Sequence, residues 1–380
     1  MFEDGRRDTV VFAQKVTEKY NYLSTIMTYA NKLEEKDSSF IQPKDIRSLE
    51  KNGYWEFGTN GYRLSYINVY DKNNNYLGQL TTQEYQKMHD VLGRDYNHYL
   101  MDYIRDENRI PMESYSKMKN RIDSDYDKME KIYTDQVGKV PDLYVLMHAN
   151  TGRFGENERV SRVNEENIKK MFSMNFNRES YAVNYLDHSI YDLTRIQPQP
   201  YWHANHLLMR IKDDTNQQVK WVDGNKKKKA DWNQVDGASE FSGNEIYLTC
   251  ESKATGTLRL KNSEHYKNIN ITTELMGNAI GKQGIYLRAD KELKEYLSVA
   301  IENEELVIQT GGDKMLYREP LTEVGDGSQY ELNQPADHKL FLTLNGNKLT
   351  VNVDGVQKIK DMEVPVKEKG YVYLQSGWGG

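Results

Sequence analysis

At 380 residues the chain exceeds what a single hydrophobic core ordinarily fills, so two domains are expected. With 37% hydrophobic and 28% charged residues it has a polar surface but enough core formers to exclude disorder. A formal net charge of -6 argues against nucleic acid as a partner, since phosphate binding needs clustered Lys and Arg, and no stretch approaches the roughly 18 apolar residues that span a membrane.

The first residues, Met1-Phe2-Glu3-Asp4-Gly5, read as the end of a strand entering a loop. The apolar residues that would build that strand are missing, which predicts a chain that starts late, with any export signal upstream of it. From there to about residue 212, short apolar runs alternate with helical patterns, as in strands linked by helices over a parallel sheet or barrel. Strands are expected within Lys19–Tyr29, at Tyr54–Gly58, Leu143–His148 and Lys170–Asn175, and around Leu193–Ile196. Before the third of these, Thr82 to Val137 predicts helix, with Tyr85, Met88, Leu92, Tyr96, Tyr99 and Tyr103 at three- and four-residue steps. That stripe reads as core. His98, Asp102 and Arg105 share one face of the same helix, which suits a salt-bridged surface as well as a site.

Past Ile211 the turn residues Asp213-Asp214-Thr215-Asn216, Asp223-Gly224-Asn225 and Asp236-Gly237 replace helical patterns and predict a linker over 213–231. Lys226 to Lys229, the one basic run, reads as a solvated loop tip. Residues 232–380 predict an antiparallel sandwich of short alternating strands: Ile246–Cys250, Gly256–Leu260, Ile269–Leu275, Gly284–Ala289, Tyr296–Ile301, Leu306–Thr310, Leu340–Leu344, Leu349–Val353 and Tyr371–Gln375. The lone cysteine, Cys250, excludes internal disulfides and cysteine-based zinc sites and reads as a buried strand residue. With 28 Tyr against 9 Phe, most aromatic surface carries a hydroxyl, which suits stacking on sugars as well as ordinary half-buried packing.

The run Leu342-Thr343-Leu344-Asn345-Gly346-Asn347-Lys348-Leu349-Thr350-Val351-Asn352-Val353-Asp354-Gly355, with Gly370-Tyr371-Val372-Tyr373-Leu374-Gln375-Ser376-Gly377-Trp378, resembles the concanavalin-type lectin-like sandwich over roughly 230–380. The resemblance implies a jelly-roll of carbohydrate-active type. Trp221, Trp232 and Trp378 offer flat apolar planes for pyranose rings or for packing.

Met1-Phe2-Glu3-Asp4-Gly5 resembles the Thr-Phe-Asp-Asp-Gly signature of the polysaccharide deacetylase (NodB homology) family, over about the first 210 residues. That resemblance implies an irregular (β/α) barrel in which Glu3 sits at the general-base position and Asp4 at the metal position. A divalent metal there would lower the pKa of a bound water and polarise an amide carbonyl. The family's second signature corresponds to Asn52-Gly53-Tyr54-Trp55-Glu56-Phe57-Gly58-Thr59-Asn60-Gly61-Tyr62-Arg63-Leu64, where Asn60 and Leu64 stand at the two histidine positions. Two of the three usual protein ligands are thereby replaced, so no cofactor is assigned, with Asp4 the one retained metal-type position.

The third signature falls on Leu146-Met147-His148-Ala149-Asn150, giving His148 a catalytic position and Asn150 a polar one beside it. The fourth matches Asn175 to Glu179, and the last matches Leu193 to Gln197 with Tyr201-Trp202-His203. Candidate catalytic residues are therefore Glu3, Asp4 and His148. Candidate sugar-binding residues are Asn60, Tyr62, Arg63, Asn150, Arg195, Trp202 and His203, with Arg195 suited to anchoring a carboxylate. The expected function is a carbohydrate-active protein of the cell surface or exterior. It would act on a bacterial exopolysaccharide or cell-wall glycan as a deacetylase-like enzyme or as a glycoside hydrolase, whose second acid would be Glu56 or Asp102. The alternative is a glycan-binding protein without catalysis.

Overall fold

The structure is a computed structural model that describes residues 1–93, 97–147, 153–179, 181–199, 201–321 and 335–377. The chain divides into two compact units, Met1–Gln197 and Pro198–Gly380. Trp202 and His203 thus lie in the second unit.

The first unit opens with Phe2 bridged in parallel to Ile26 and continues through α1 (Arg7–Lys19), β1 (Ser24–Tyr29), α2 (Ala30–Glu35), α3 (Pro43–Lys51) and β2 (Trp55–Gly61). An inserted three-stranded antiparallel sheet follows, formed by β3 (Ser65–Tyr70), β4 (Tyr76–Thr81) and, after α4 (Thr82–Met88), β5 (Asn97–His98). Then come α5 (Tyr115–Val137), β6 (Leu143–Val145), α6 (Glu158–Met171), β7 (Met174–Glu179) and β8 (Leu193–Arg195). Strands β1, β2, β6, β7 and β8 form one parallel sheet in chain order.

Flat, this sheet and Phe2 would place the two ends five strand spacings apart, about 24 Å at roughly 4.8 Å each. Yet Arg195, on the last strand, holds Glu3 at 2.7 Å. The sheet is therefore curled until its ends meet across side chains. Helix α5 covers its outer face. Ser114 caps the helix by accepting the Lys117 N–H, Gly138 closes it in the left-handed region, and Met118, Ile122, Tyr126, Met129 and Tyr133 recur along one buried stripe.

The helix expected across Thr82–Val137 is two helices with an irregular segment between them. Asn97 and His98 instead pair with β3, which takes His98 off any helical face. Asp102 is buried and accepts hydrogen bonds from the Tyr103 N–H, Asn68, Asn157 and the Arg105 guanidinium. A carboxylate taken from water is stable only with such partners, and they fix the turn that a helix would have crossed. Lys170 and Met171, expected in a strand, complete α6.

The second unit begins with α7 (Ala204–Thr215). Lys226–Lys229 form a one-turn helix capped by Asn225. Among the described residues thirteen strands follow: β9 (Trp232–Asp236), β10 (Ala238–Ser242), β11 (Glu245–Thr249), β12 (Thr255–Leu260), β13 (Ile269–Asn278), β14 (Lys282–Ala289), β15 (Leu297–Glu302), β16 (Glu305–Thr310), β17 (Lys314–Pro320), β18 (Pro335–Asn345), β19 (Lys348–Val353), β20 (Val356–Glu363) and β21 (Tyr371–Gly377). A seven-stranded antiparallel sheet, in the order β17-β16-β15-β14-β21-β12-β9, faces a four-stranded one, β13-β18-β19-β20. Ile285, Leu287, Val299 and Ile308 from the first meet Leu340, Leu342, Val351 and Ile359 from the second in one core. Cys250 lies half-buried just past β11, its thiol directed at the Ala254 carbonyl.

Two polar ties accompany that apolar core. Arg288 is almost wholly buried and is satisfied by the carbonyls of Lys267, Gly346 and Lys367. His338 of β18 is buried between two carboxylates, with Nδ1 at 2.7 Å from Asp354 and Nε2 at 3.3 Å from Glu304. Burial draws the imidazole down, but the hydrogen bonds to Asp354 and Glu304 outweigh it and leave it above its ordinary value. A histidine that titrates higher when folded stabilises in its protonated form. That contribution is complete below the unfolded value of about 6.5 and is lost as pH rises through the folded value. Thermal unfolding of the chain between about pH 5 and about pH 9 should show the sandwich transition falling with pH, and His338→Gln should flatten that slope. Equal slopes in the two proteins would show that the triad contributes nothing.

Candidate functional site

On β1 and β2, Thr28 and Thr59 both hydrogen-bond Tyr133 of α5, which fixes the outer face. By strand alternation Met27, Tyr29, Gly58 and Asn60 take the inner face, and a Cβ at Gly58 would meet Met27 Sδ at 2.6 Å. Asp4 and Gly5 follow Phe2 with φ of 66° and 63°, a tight reversal that brings the Asp4 N–H to the Asn60 amide oxygen at 3.2 Å. Asn60 is fully buried, and its amide nitrogen points at Met147 Sδ at 3.4 Å. Asp4, Asn60, Tyr29 and Met147 therefore meet at one end of the curled sheet. Burial pushes the Asp4 carboxyl above its ordinary value, while Tyr29 and Arg6 oppose the shift. The Tyr29 hydroxyl is buried beside it without completing a hydrogen bond of regular geometry.

Glu3 makes a different connection. The Arg195 guanidinium donates to Glu3 at 2.7 Å and to Glu179 at 2.7 Å. Arg195 thus anchors two carboxylates of its own chain. The Glu3 carboxylate, expected to act as a base, is held in this pair.

The groups assembled here do not fit a zinc centre. Of the three positions that would hold the ion, Asp4 supplies a carboxylate, whereas the Asn60 oxygen is already accepting a backbone N–H. Leu64 packs into the small apolar cluster of Tyr66, Val69, Leu80 and Leu92 under the inserted sheet. Among the described residues no group of three His, Cys, Asp or Glu side chains is placed to hold a metal. His148 and Asn150 lie outside the described residues, as does Trp378.

The remaining expected residues are placed elsewhere. Arg63 pairs with Asp125 of α5 at 3.4 Å and lies over the rings of Tyr62 and Tyr99. Lys128 covers Tyr62 as well, so Tyr62 and Arg63 belong to an ion-pair and cation–π network on α5. Trp202 stacks on His206 with ring centres 4.3 Å apart, and His203 stacks on Tyr247 at 3.5 Å, which covers one face of each ring. Glu56 is exposed on β2, and Asp102 is enclosed by the partners already named. Tyr29, Met147 and Glu179 were missed. Strand parity on β1 points to Tyr29, but nothing local in the sequence marks the other two.

No protein-family model matches the sequence, and no curated protein matches it. Among solved structures, the chain is similar to a de-N-acetylase from Aggregatibacter actinomycetemcomitans at 16% identity, over 52% of this chain and 67% of that one, with a TM-score of 0.35. It is similar to the BpsB deacetylase domain from Bordetella bronchiseptica at 11% identity, over 51% and 68%, with a TM-score of 0.38. It is also similar to the carbohydrate binding module CBM66 from Bacillus subtilis at 12% identity, over 39% and 89%, with a TM-score of 0.31.

Arg195→Met would leave Glu3 and Glu179 facing each other without a cation. Because the Glu179 side chain is 37% exposed, the cost falls short of a fully buried pair. A loss of about 1–3 kcal/mol for the first unit is expected in chemical denaturation. A change under about 0.5 kcal/mol would mean that both carboxylates are adequately solvated without Arg195.

Proposed function

We propose that the protein is a glycan-binding protein of the cell surface or exterior, built from a deacetylase-like (β/α) barrel that has given up metal-dependent chemistry and a lectin-like sandwich. The observation that carries this reading is the mouth of the curled sheet. There an amide whose oxygen accepts the Asp4 N–H stands at one expected imidazole position, a leucine stands at the other, and the expected base is tied to Arg195. Asp4 reaches the surface beside the buried Asn60 and Tyr29, so this end of the sheet keeps a hydrogen-bonding carboxylate for a sugar hydroxyl and lacks the ligand set that activates water at a metal.

A second reading is favoured by one feature. The Asp4 carboxyl is raised by burial, as suits a general acid, and would protonate a leaving oxygen in a glycoside hydrolase. The two readings separate on turnover. On acetylated and deacetylated exopolysaccharides and cell-wall glycans we expect retention of the chain in affinity gels, with no acetate release, with or without added zinc, and no new reducing ends. Asp4→Asn should weaken retention by roughly tenfold, the loss of one hydrogen bond to a charged group. Reducing ends that vanish in Asp4→Asn would establish the hydrolase instead, and zinc-dependent acetate release would overturn the loss of metal chemistry.

A further inference from the structure

The seven-stranded sheet has a second face. Ile285 and Leu287 on β14, and Val372 and Leu374 on β21, point into the core between the sheets, so Tyr286, Tyr373 and Gln375 project from the opposite side. There a cleft of about 530 Å³ is lined by Lys282, Tyr286, Lys294, Tyr296, Asp313 and Gln375, among others. The volume lies within the range of small-molecule sites.

Its aromatic groups are held in place by hydrogen bonds. The Tyr286 hydroxyl donates to Gln375 Oε1 at 2.6 Å, the Tyr296 hydroxyl donates to Asp313 at 2.8 Å, and the two rings meet edge to face at 4.9 Å and 66°. Tyr286 is buried whereas Tyr296 is half-exposed, so Tyr296 offers a ring face braced from behind. Beside it stand a carboxylate that accepts and an ammonium that donates, Asp313 and Lys294, both exposed on turns. Lys282 is balanced by Glu302 at 3.7 Å.

Charge therefore nearly cancels across the cleft, while donors and acceptors of hydrogen bonds both remain. A ligand with one apolar ring face and a rim of neutral hydroxyls matches that pattern, and a strongly charged ligand of either sign does not. We infer that this cleft is a second glycan site, which takes a neutral pyranose unit across Tyr296 with its hydroxyls held by Asp313 and Lys294. The inference rests on the reading of the protein as glycan-binding and names where, and for which sugar class, the sandwich contributes.

The test is native affinity electrophoresis of the full chain in gels carrying neutral polysaccharides (β-glucan, mannan, levan), acidic ones (alginate, polygalacturonate) and a cationic one (chitosan). Wild type should be retarded by at least one neutral glycan, and Tyr296→Ala should raise its dissociation constant by about tenfold or more. Asp313→Asn, at an exposed turn, should give a smaller loss in the same gel. Neutral-glycan retardation that survives both Tyr296→Ala and Asp313→Asn would overturn the site while leaving glycan binding intact. Retardation by charged glycans alone would overturn the sugar class. No retardation by any glycan would overturn the glycan reading itself.

Discussion

Arg195 holds the first unit's sheet in its curled form by satisfying two carboxylates that arrive from opposite ends of the fold, Glu3 beside the first bridge and Glu179 at the end of β7. A parallel sheet of five strands has no backbone reason to close on so few residues, and β8 offers three residues for pairing. A buried guanidinium needs several acceptors at once, and its fork geometry brings Glu3 and Glu179 to within hydrogen-bond distance of a single side chain. Once Glu3 is drawn there, the reversal at Asp4 and Gly5 is set, and the Asp4 N–H has Asn60 as its partner. The candidate site is in this sense a consequence of how the sheet closes.

The same interaction decides what chemistry is left. The Glu3 carboxylate is engaged by Arg195, and desolvation raises the Asp4 carboxyl above its ordinary value. Asn60, buried on the inner face of β2, accepts the Asp4 N–H with its amide oxygen. Leu64 packs into the apolar cluster beneath the inserted sheet, away from Asp4 and Asn60. Asn60 and Leu64 thus have separate surroundings, one beside Asp4 and one under the inserted sheet.

In the second unit the alternating strands fix which side chains enter the core, and the polar ties govern how the loops at its edges are held. Arg288 gathers carbonyls from the segments before β13 and β21 and from the β18–β19 turn, while His338 joins the β15–β16 and β19–β20 turns through Glu304 and Asp354. Both are buried polar groups whose partners come from distant positions in the chain. The outward face keeps its tyrosines in fixed orientations for the same reason, through Gln375 and Asp313.

Much of this architecture was legible in the residues. Period-two alternation and Asn-Gly and Asp-Gly turns marked most of the sandwich strands from Ile269 to Gln375, β17 and β20 excepted, and the acidic pair with its Gly5 marked the end of the first strand-like segment. Local pattern misled where burial overrode it, at Thr82–Val137, because a helical stripe cannot reveal that Asp102 will be buried among four donors or that His98 will pair with β3. It was also blind to Arg195, whose charge suggested an external carboxylate until the curled sheet supplied two internal ones. The sequence by itself determined most of the sandwich strands and that positions 60 and 64 carry an amide and an apolar side chain, since these depend on side-chain chemistry and short-range periodicity. Which charges stay open to solvent and which neutralise one another was decided only by the tertiary structure, because ion pairing depends on distances set by residues nearly two hundred positions apart.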